Sequence, residues 1–308
     1  MGHSPRNVQP LFGSGTFTSL LPETCTVTNV PKLSKLTLIT LCLLLAAPAA
    51  RVQAAPAPAF SVGFIGDTGY SRQGDENLLK VRASANAAGL AFVVHDGDTQ
   101  YGGTPCSQGR LWAVKRVFDG FSTLVYTPGD NEWQDCPNGS PAGWLATIRR
   151  SYFFTGNSLG LHPINQWRQS GAVPENARWE RSGVVFATLD VPGPDGGGPV
   201  GPDLAWIDAT FDRAEAIRAP AVVVVMQDDP TDGSSANLIA LLRHRAGAFR
   251  RPVLLVHGDT HVHKLDHPWK DVPNLTRLET FPGFTPTWVR ATVNPASPGV
   301  FSFVTVHA

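Results

Sequence analysis

Residues 91–101 read Ala-Phe-Val-Val-His-Asp-Gly-Asp-Thr-Gln-Tyr, an apolar run that ends abruptly in acidic and polar side chains. A short β-branched run that stops at Gly or Asp is typical of a strand buried on both faces. Residues 61–69 (SVGFIGDTG) and 253–263 (VLLVHGDTHVH) have the same form. The pattern predicts buried strands that carry polar side chains at their carboxyl ends.

Further apolar runs lie outside these three stretches, and segments with helical spacing of apolar residues separate them. The remaining strand-like runs are at residues 124–127, 183–189 and 221–226. The alternation of buried strands and helices predicts an α/β fold. Residues 288–293 and 299–306 alternate in the manner of strands, and we expect them to complete a sheet edge rather than form a second domain.

The composition is that of a globular protein. The chain has 308 residues, of which 42% are hydrophobic and 16% are charged, and its formal net charge is zero. These values argue against disorder over most of the chain. They also give no sign of a nucleic-acid partner bound by bulk positive charge.

The N-terminal segment has the pattern of a secretory signal peptide. Lys32 and Lys35 precede an apolar run at residues 36–47, and Pro48, Arg51 and the stretch Val52-Gln53-Ala54-Ala55 follow. This run is too short to span a bilayer, and a basic flank with a small-residue exit is typical of a cleaved signal. We predict cleavage after Ala54, which leaves residues 55–308 as a secreted or periplasmic domain with no stable membrane span.

Cysteine usage agrees with export. Of the four cysteines, Cys106 and Cys136 remain in the predicted mature chain. Exported proteins usually pair their cysteines, so we expect a disulfide bond between the two, with two free thiols as the alternative.

Acidic residues follow the predicted strands in a regular order. Asp67, Asp98 and Asp130 are 31 and 32 residues apart, about one strand–helix–strand unit each, and Asp259 follows a later strand. Because sites in α/β sheets form beyond the carboxyl ends of strands, these carboxylates should converge. Converging carboxylates repel one another unless a cation lies among them, so the sequence predicts a metal site.

The order of the motifs resembles the calcineurin-like metallophosphoesterase superfamily. The motifs are Asp67-Thr68-Gly69, Gly97-Asp98-Thr99-Gln100-Tyr101, Gly129-Asp130-Asn131-Glu132 and Gly258-Asp259-Thr260-His261. The first two are similar to the purple acid phosphatase variant. The resemblance covers roughly residues 60–265 and implies a four-layer α/β/β/α sandwich with a two-metal site at the carboxyl ends of the strands.

The resemblance implies ligands for a first metal, with iron expected there because a tyrosinate takes part. These ligands are Asp67, Asp98, Tyr101 and His261, and Asp98 bridges to the second metal.

The second metal would be held by Asp98, Asp130, Gln227 and Asp259. The last three replace the family's usual Asn, His and His, and all three changes are toward oxygen donors. Of the candidate ions Mn, Mg, Ca and Zn, this donor set favours the first three. Asp228 is an alternative to Gln227, because a small shift of the chain would exchange them.

The resemblance also implies hydrolysis of a phosphate mono- or diester by a metal-bound hydroxide. The partner is then a small-molecule phosphate ester. Asn131 stands where the family has a substrate-orienting His, and an amide does not act as a general acid near neutral pH. His263 is the candidate to replace it. His95 and His257 are further candidates, although their positions within strands favour a role as core histidines.

Two other functions remain open at this stage. Residues 156–160 fit the Gly-x-Ser-x-Gly pattern of serine hydrolases, with Ser158 as nucleophile, but that elbow requires a strand before it and a helix after it. The altered residues Asn131, Gln227 and Asp259 also allow a degenerate scaffold that keeps the fold without turnover.

Overall fold

The computed structural model describes residues 57–171, 173–191 and 200–308. These residues fall within one structural unit, Ala55–Ala308. The predicted signal peptide and the segment before it, residues 1–54, lie outside the described residues.

The described part of the chain forms twelve strands and five helices. The strands are β1 (Phe60–Ile65), β2 (Phe92–His95), β3 (Leu124–Tyr126), β4 (Trp167–Arg168), β5 (Ala177–Arg181), β6 (Val184–Thr188), β7 (Val222–Val225), β8 (Val253–His257), β9 (Lys264–Asp266), β10 (Leu275–Glu279), β11 (Thr287–Val293) and β12 (Phe301–His307). The helices are α1 (Arg72–Ala87), α2 (Gln108–Phe118), α3 (Pro141–Tyr152), α4 (Val200–Ala216) and α5 (Ala236–Phe249).

The strands form two sheets. The first has the order β12-β11-β1-β2-β3, and the second has the order β4-β5-β6-β7-β8-β10-β9. In the first sheet β1, β2 and β3 are parallel, with Val62 opposite Phe92 and Val93 opposite Leu124. In the second sheet β6, β7, β8 and β10 are parallel. The parallel strands of each sheet therefore end together at one edge.

One hydrophobic core lies between the two sheets. Val223 and Val225 of β7 pack there with Phe64 and Val94 of the first sheet. Their neighbours along β7, Val222 and Val224, belong to a different cluster on the opposite face. An all-valine strand has this pattern because both of its faces are buried.

Two further cores lie under the helices. The second sheet packs its outer face against α4 and α5, where Ile207 and Leu242 are buried. The first sheet packs its outer face against α1, α2 and α3, where Leu78, Val114 and Ile148 are buried. The layers are thus helices, sheet, sheet and helices, which confirms the predicted α/β/β/α sandwich.

The helices begin where the sequence supplies capping hydroxyls. The side chains of Ser71, Ser107 and Ser140 each accept a hydrogen bond from a backbone N–H in the first turn of α1, α2 and α3, respectively. Such caps satisfy amide groups that a helix leaves without partners at its start. These caps set the residues at which α1, α2 and α3 begin.

The C-terminal strands lie where the alternating pattern predicts them. β11 pairs antiparallel with β1, and β12 pairs antiparallel with β11, so both extend the edge of the first sheet. Cys106 and Cys136 form the predicted disulfide bond, with their Cα atoms 5.4 Å apart. Within the described residues, no helix is long and apolar enough to cross a membrane.

Candidate metal centre

The loops at the carboxyl ends of the parallel strands bring the predicted acidic residues into one region. Asp67 follows β1, Asp98 follows β2 and Asp130 follows β3, while Asp259 and His261 follow β8 of the other sheet. The loops are bonded to one another: the backbone N–H of Asp67 donates to the carbonyl of Gly97 at 3.0 Å. The region therefore lies where both sheets end.

The backbone is strained at these positions. Asp67, Asp98, Asp259 and His261 all have positive φ angles, of 50°, 58°, 78° and 60°. Non-glycine residues rarely adopt this conformation, which costs of order 1–3 kcal/mol per residue and persists only where the surrounding structure imposes it. Four such residues in one cluster indicate that the loops are shaped to aim these side chains.

Two glycines permit the close approach of the carboxylates. A Cβ at Gly258 would lie 2.5 Å from Oδ2 of Asp67, and one at Gly129 would lie 2.7 Å from the backbone N of Asp98 and overlap its carboxylate. Both distances are shorter than real Cβ contacts, so a larger residue at either position would displace the neighbouring carboxylate.

The first cluster consists of Asp67, Asp98 and His261. Each offers one donor atom, and these atoms lie within 4.8 Å of one another. The two carboxylates are buried, at 0% and 2% exposure, whereas His261 is partly exposed. The spacing and donor types suit a cation bound by two oxygens and one nitrogen.

The other predicted ligands lie beside this cluster. The amide of Gln227 donates to Oδ1 of Asp259 at 3.5 Å, and the backbone N–H of Asp259 donates to Oδ1 of Asp67 at 3.1 Å. Oδ1 of Asp130 and Oε1 of Gln227 are buried and have no hydrogen-bond partner. Both sit at positions where the sequence predicts ligands of a second metal.

Burial makes ionisation of these carboxylates costly. It raises the pKa of Asp67 to about 7, with added repulsion from Asp259 and Glu279. It raises the pKa of Asp130 to about 7 as well, with added repulsion from Asp135 and Asp259. The pKa of Asp98 is raised well above its usual value, by burial and then by the nearby carboxylates.

A metal fits this set of residues. Among the residues that the structure describes, no Lys or Arg forms an ion pair with Asp67, Asp98, Asp130 or Asp259. Oδ2 of Asp67 is also a buried oxygen without a partner. Buried carboxylates without basic partners are stabilised by bound cations, and the unpartnered oxygens supply coordination sites.

The sequence analysis missed Tyr70. Its hydroxyl lies 3.0 Å from Oδ1 of Asp67, 3.0 Å from Oδ2 of Asp98 and 2.9 Å from Nε2 of His261. Burial and the two carboxylates raise the pKa of Tyr70, so the hydroxyl keeps its proton when no cation is present. Tyr70 directly follows the motif Asp67-Thr68-Gly69, and this position was the sequence feature that could have indicated it. The sequence does not show whether a tyrosine at this position points into the site or away from it.

Tyr101, the tyrosine that the resemblance implied, lies at the rim of the site. Its side chain is 60% exposed, and its ring meets that of Tyr70 edge-on at 5.8 Å. Its hydroxyl forms no hydrogen bond with any described residue. The ring contact, rather than the phenol oxygen, connects Tyr101 to the cluster.

Asn131 and Asp228 have distinct surroundings. The side-chain amide of Asn131 donates to Oδ2 of Asp98 at 2.5 Å, so it contacts the predicted bridging carboxylate. Asp228 instead accepts hydrogen bonds from the hydroxyls of Ser234 and Ser235 ahead of α5. The structure therefore places Gln227, not Asp228, against Asp259.

The histidines of the strand ends differ in their partners. His95 is fully buried, with Nδ1 accepting from the backbone of Gly97 and Nε2 bonded to Thr68, and burial lowers its pKa to about 3. Burial lowers the pKa of His257 to about 4. Both are neutral core histidines. His263 bonds the carbonyl of Glu279 at 2.7 Å and stacks on a phenylalanine, which leaves its other ring nitrogen available.

The environment of Ser158 does not suit a nucleophile. Ser158 is 7% exposed, and its hydroxyl accepts a hydrogen bond from the backbone of Ile164 at 3.0 Å. An isolated bridge joins the next residue to β3, and no helix follows. The strand–turn–helix context of a nucleophile elbow is missing, so the serine hydrolase alternative has no structural support.

The fold resembles several solved structures. A 5'-nucleotidase from Candida albicans aligns at a TM-score of 0.45 and 12% identity, over 80% of this chain and 51% of that chain, so this chain spans about half its length. A phosphatase from Mycoplasma pneumoniae aligns at 0.47 and 13%, over 81% and 94%. GAP50, the anchor in the inner membrane complex of Plasmodium, aligns at 0.46 and 10%, over 81% and 89%.

No family model matches the chain, and no curated protein matches it.

Proposed function

We propose that the chain is a metal-dependent phosphoesterase that hydrolyses small-molecule phosphate mono- or diesters. The proposal depends on the convergence of Asp67, Asp98 and His261, whose donor atoms lie within 4.8 Å of one another. Asp130 and Asp259 lie beside them, and no Lys or Arg of the described residues forms an ion pair with any of these carboxylates. A metal-assisted hydrolysis accounts for such an arrangement better than a structural role does.

Two groups of residues would hold the metal ions. Asp67, Asp98 and His261 form one group. The other comprises Asp98, Asp130, Gln227 and Asp259, in which all donors are oxygens, so Mn, Mg or Ca is favoured over Zn. When bound, the metal pair supplies positive charge for the phosphoryl oxygens and lowers the pKa of a water molecule that attacks phosphorus.

The chain's own residues orient the ligands. Asn131 donates to Asp98 at 2.5 Å and so fixes the carboxylate shared by both groups. Because its amide does not titrate, Asn131 orients Asp98 rather than protonating a leaving group. We therefore expect esters with good leaving groups, such as aryl phosphates, to be hydrolysed faster than alkyl phosphates.

A phosphatase assay tests the proposal. The purified protein, supplied with Mn²⁺ or iron, is expected to hydrolyse a generic aryl phosphate. Asp98→Asn is expected to reduce the rate by at least about 100-fold, the upper end of what loss of an outer-shell partner costs a metal site. The matched control is Asp271→Asn, which removes an exposed carboxylate paired with Arg243 and should leave the rate unchanged. Equal rates for the wild type and Asp98→Asn would refute the proposal.

The degenerate scaffold remains the second candidate, and one observation favours it. The Tyr70 hydroxyl hydrogen-bonds two carboxylates and a histidine that would otherwise face a cation. A protein without metal needs such a donor among its buried carboxylates. Absence of metal from protein purified under metal-replete conditions, together with no hydrolysis, would support the scaffold.

We also propose that the chain is exported. The Cys106–Cys136 disulfide supports this, because such bonds persist in oxidising compartments. The N-terminal sequence of protein recovered from the culture medium or periplasm is expected to begin at Ala55. Recovery of the intact N-terminus from the cytoplasm would contradict export.

A further inference from the structure

The hydroxyl oxygen of Tyr70 contacts all three residues of the first cluster. It is 2.9–3.0 Å from one donor atom each of Asp67, Asp98 and His261, the three residues that match the family's first-site motifs. Each of the three residues also offers one donor atom such that these atoms lie within 4.8 Å of one another. A single oxygen that contacts all three is placed to join their coordination sphere.

Hydrogen bonding satisfies this arrangement only when one of the two carboxyl groups is protonated. A tyrosine hydroxyl has one proton to donate, yet it faces two carboxylate oxygens at equal distance. Only one of these contacts is a hydrogen bond donated by Tyr70 at any moment. The second contact places the hydroxyl oxygen 3.0 Å from a carboxylate oxygen with no proton between them, unless that carboxyl group is itself protonated. A cation among the four atoms would satisfy all of them at once.

The loop that carries Tyr70 is held by the rest of the protein. Arg110 of α2 donates to the carbonyl of Gly69 at 2.8 Å and pairs with Asp75 of α1. Gly69 itself has a φ of +72°, a conformation that favours glycine and turns the chain directly before Tyr70.

Aromatic contacts fix the ring. The Tyr70 ring meets His261 at 5.0 Å, Phe284 at 5.9 Å and Tyr101 at 5.8 Å, so it packs on three sides. Tyr101 contributes only its ring to this packing, and its side chain is 60% exposed. Tyr70 is therefore the tyrosine whose hydroxyl converges on the cluster.

We propose that the Tyr70 hydroxyl oxygen is a ligand of the cation in the first site, in the role that the motif resemblance implies for Tyr101. This inference depends on the proposed metal site. When the oxygen coordinates the metal as a phenolate, its proton is released to solvent. With ferric iron, a bound tyrosinate gives a visible charge-transfer band, which identifies the ligand independently of activity.

Spectroscopy of iron-loaded variants tests the assignment. Iron content and visible absorption are measured for the wild type, Tyr70→Phe and Tyr101→Phe. The wild type and Tyr101→Phe are expected to bind iron and show the band. Tyr70→Phe is expected to lose the band and to bind iron at least about tenfold more weakly, the lower end of what loss of an outer-shell partner costs a metal site. Retention of the band in Tyr70→Phe would overturn the assignment.

The matched variant decides the question even if Tyr70→Phe does not fold. The chain has four tyrosines. Tyr126 and Tyr152 are buried under the helices, with hydroxyls bonded to Glu132 and to the carbonyl of Leu111. A full band in Tyr101→Phe thus assigns the ligand to Tyr70, and loss of the band assigns it to Tyr101.

The outcomes also separate this inference from the proposed function. If the wild-type protein binds iron and hydrolyses phosphate esters but shows no visible band, the tyrosinate assignment is wrong and the proposed phosphoesterase function still holds. If the wild-type protein binds neither iron nor manganese, both the tyrosinate assignment and the proposed function are wrong. Tyr70 would then act as a hydrogen-bond donor within a non-catalytic scaffold.

Discussion

Asp98 shows how much one residue of the site depends on its neighbours. It has a φ of 58°, is 2% exposed, and accepts hydrogen bonds from Tyr70 and Asn131. Its sequence position after a buried strand was enough to predict it as a ligand. Its contact with Tyr70 was not predictable, because the direction of a side chain in a strained loop depends on contacts from other parts of the chain.

At the residue scale, Gly129 is expected to be essential for metal binding. The Cβ of Gly129→Ala would overlap the Asp98 carboxylate and lie 2.7 Å from its backbone N, so Asp98 has to move. We expect the variant to bind Mn²⁺ about 10–100-fold more weakly by calorimetric titration, the loss typical of misplaced ligands.

Gly247→Ala is the control for this change. Gly247 lies in α5, and an added Cβ meets nothing within 4 Å. Alanine is the better helix former by about 1 kcal/mol, so this variant should bind metal normally and be slightly more stable. Unchanged metal affinity in Gly129→Ala would show that Asp98 adapts and that the close approach is not needed.

At the element scale, the buried parallel strands were predictable and the polar ones were not. Runs such as β7 (Val222–Val225) are apolar at every position because both faces are covered. β10 (Leu275–Glu279) contains Arg277 and Glu279, yet both are buried. Arg277 pairs with Asp266 and Glu279 pairs with Lys264, partners that no local pattern reveals. Because these buried residues are charged, β10 lacks the apolar pattern from which a buried strand is predicted.

The disulfide connects the two loops that carry Asp98 and Asp130. Cys106 follows the first loop, and Cys136 follows the second, with a sequence separation of 30. The double variant Cys106→Ser/Cys136→Ser is expected to lower the free energy of unfolding by roughly 2–4 kcal/mol, because a closed loop restricts the unfolded chain. Urea denaturation measures the change.

Reduction of the wild type provides the matched comparison for this prediction. A reductant should lower the stability of the wild type by a similar amount and have no effect on the double variant. A double variant as stable as the oxidised wild type would mean that the bond contributes nothing to holding these loops.

At the scale of the whole molecule, the site concentrates negative charge that the fold does not neutralise. Asp67 and Asp130 have folded-state pKa values raised from 3.8 to about 7, mainly by burial. In the metal-free protein these two groups contribute stability at low pH, and that contribution is lost as the pH rises from about 4 through about 7. Cations bind the ionised carboxylates, so metal binding strengthens over the same range.

The stabilisation by metal is therefore expected to increase with pH. The rise in Tm on adding Mn²⁺ should be larger at pH 8 than at pH 5, measured by circular dichroism on protein first stripped with a chelator. Asp98→Asn should show little rise at either pH, because it lacks the shared ligand. An equal rise at both values in the wild type would place the bound metal away from these carboxylates.

The sequence by itself determined the α/β class, the positions of the main strands along the chain and the convergence of Asp67, Asp98, Asp130, Asp259 and His261, and the resemblance of its motifs implied the four-layer sandwich. It did so because apolar runs mark buried strands, and parallel strands bring their carboxyl ends to one edge. Only the tertiary structure decided which tyrosine faces the cluster. Tyr70 and Tyr101 both follow motif residues closely, and the difference between them arises from loop conformation and from packing against His261 and Phe284, residues distant in the chain.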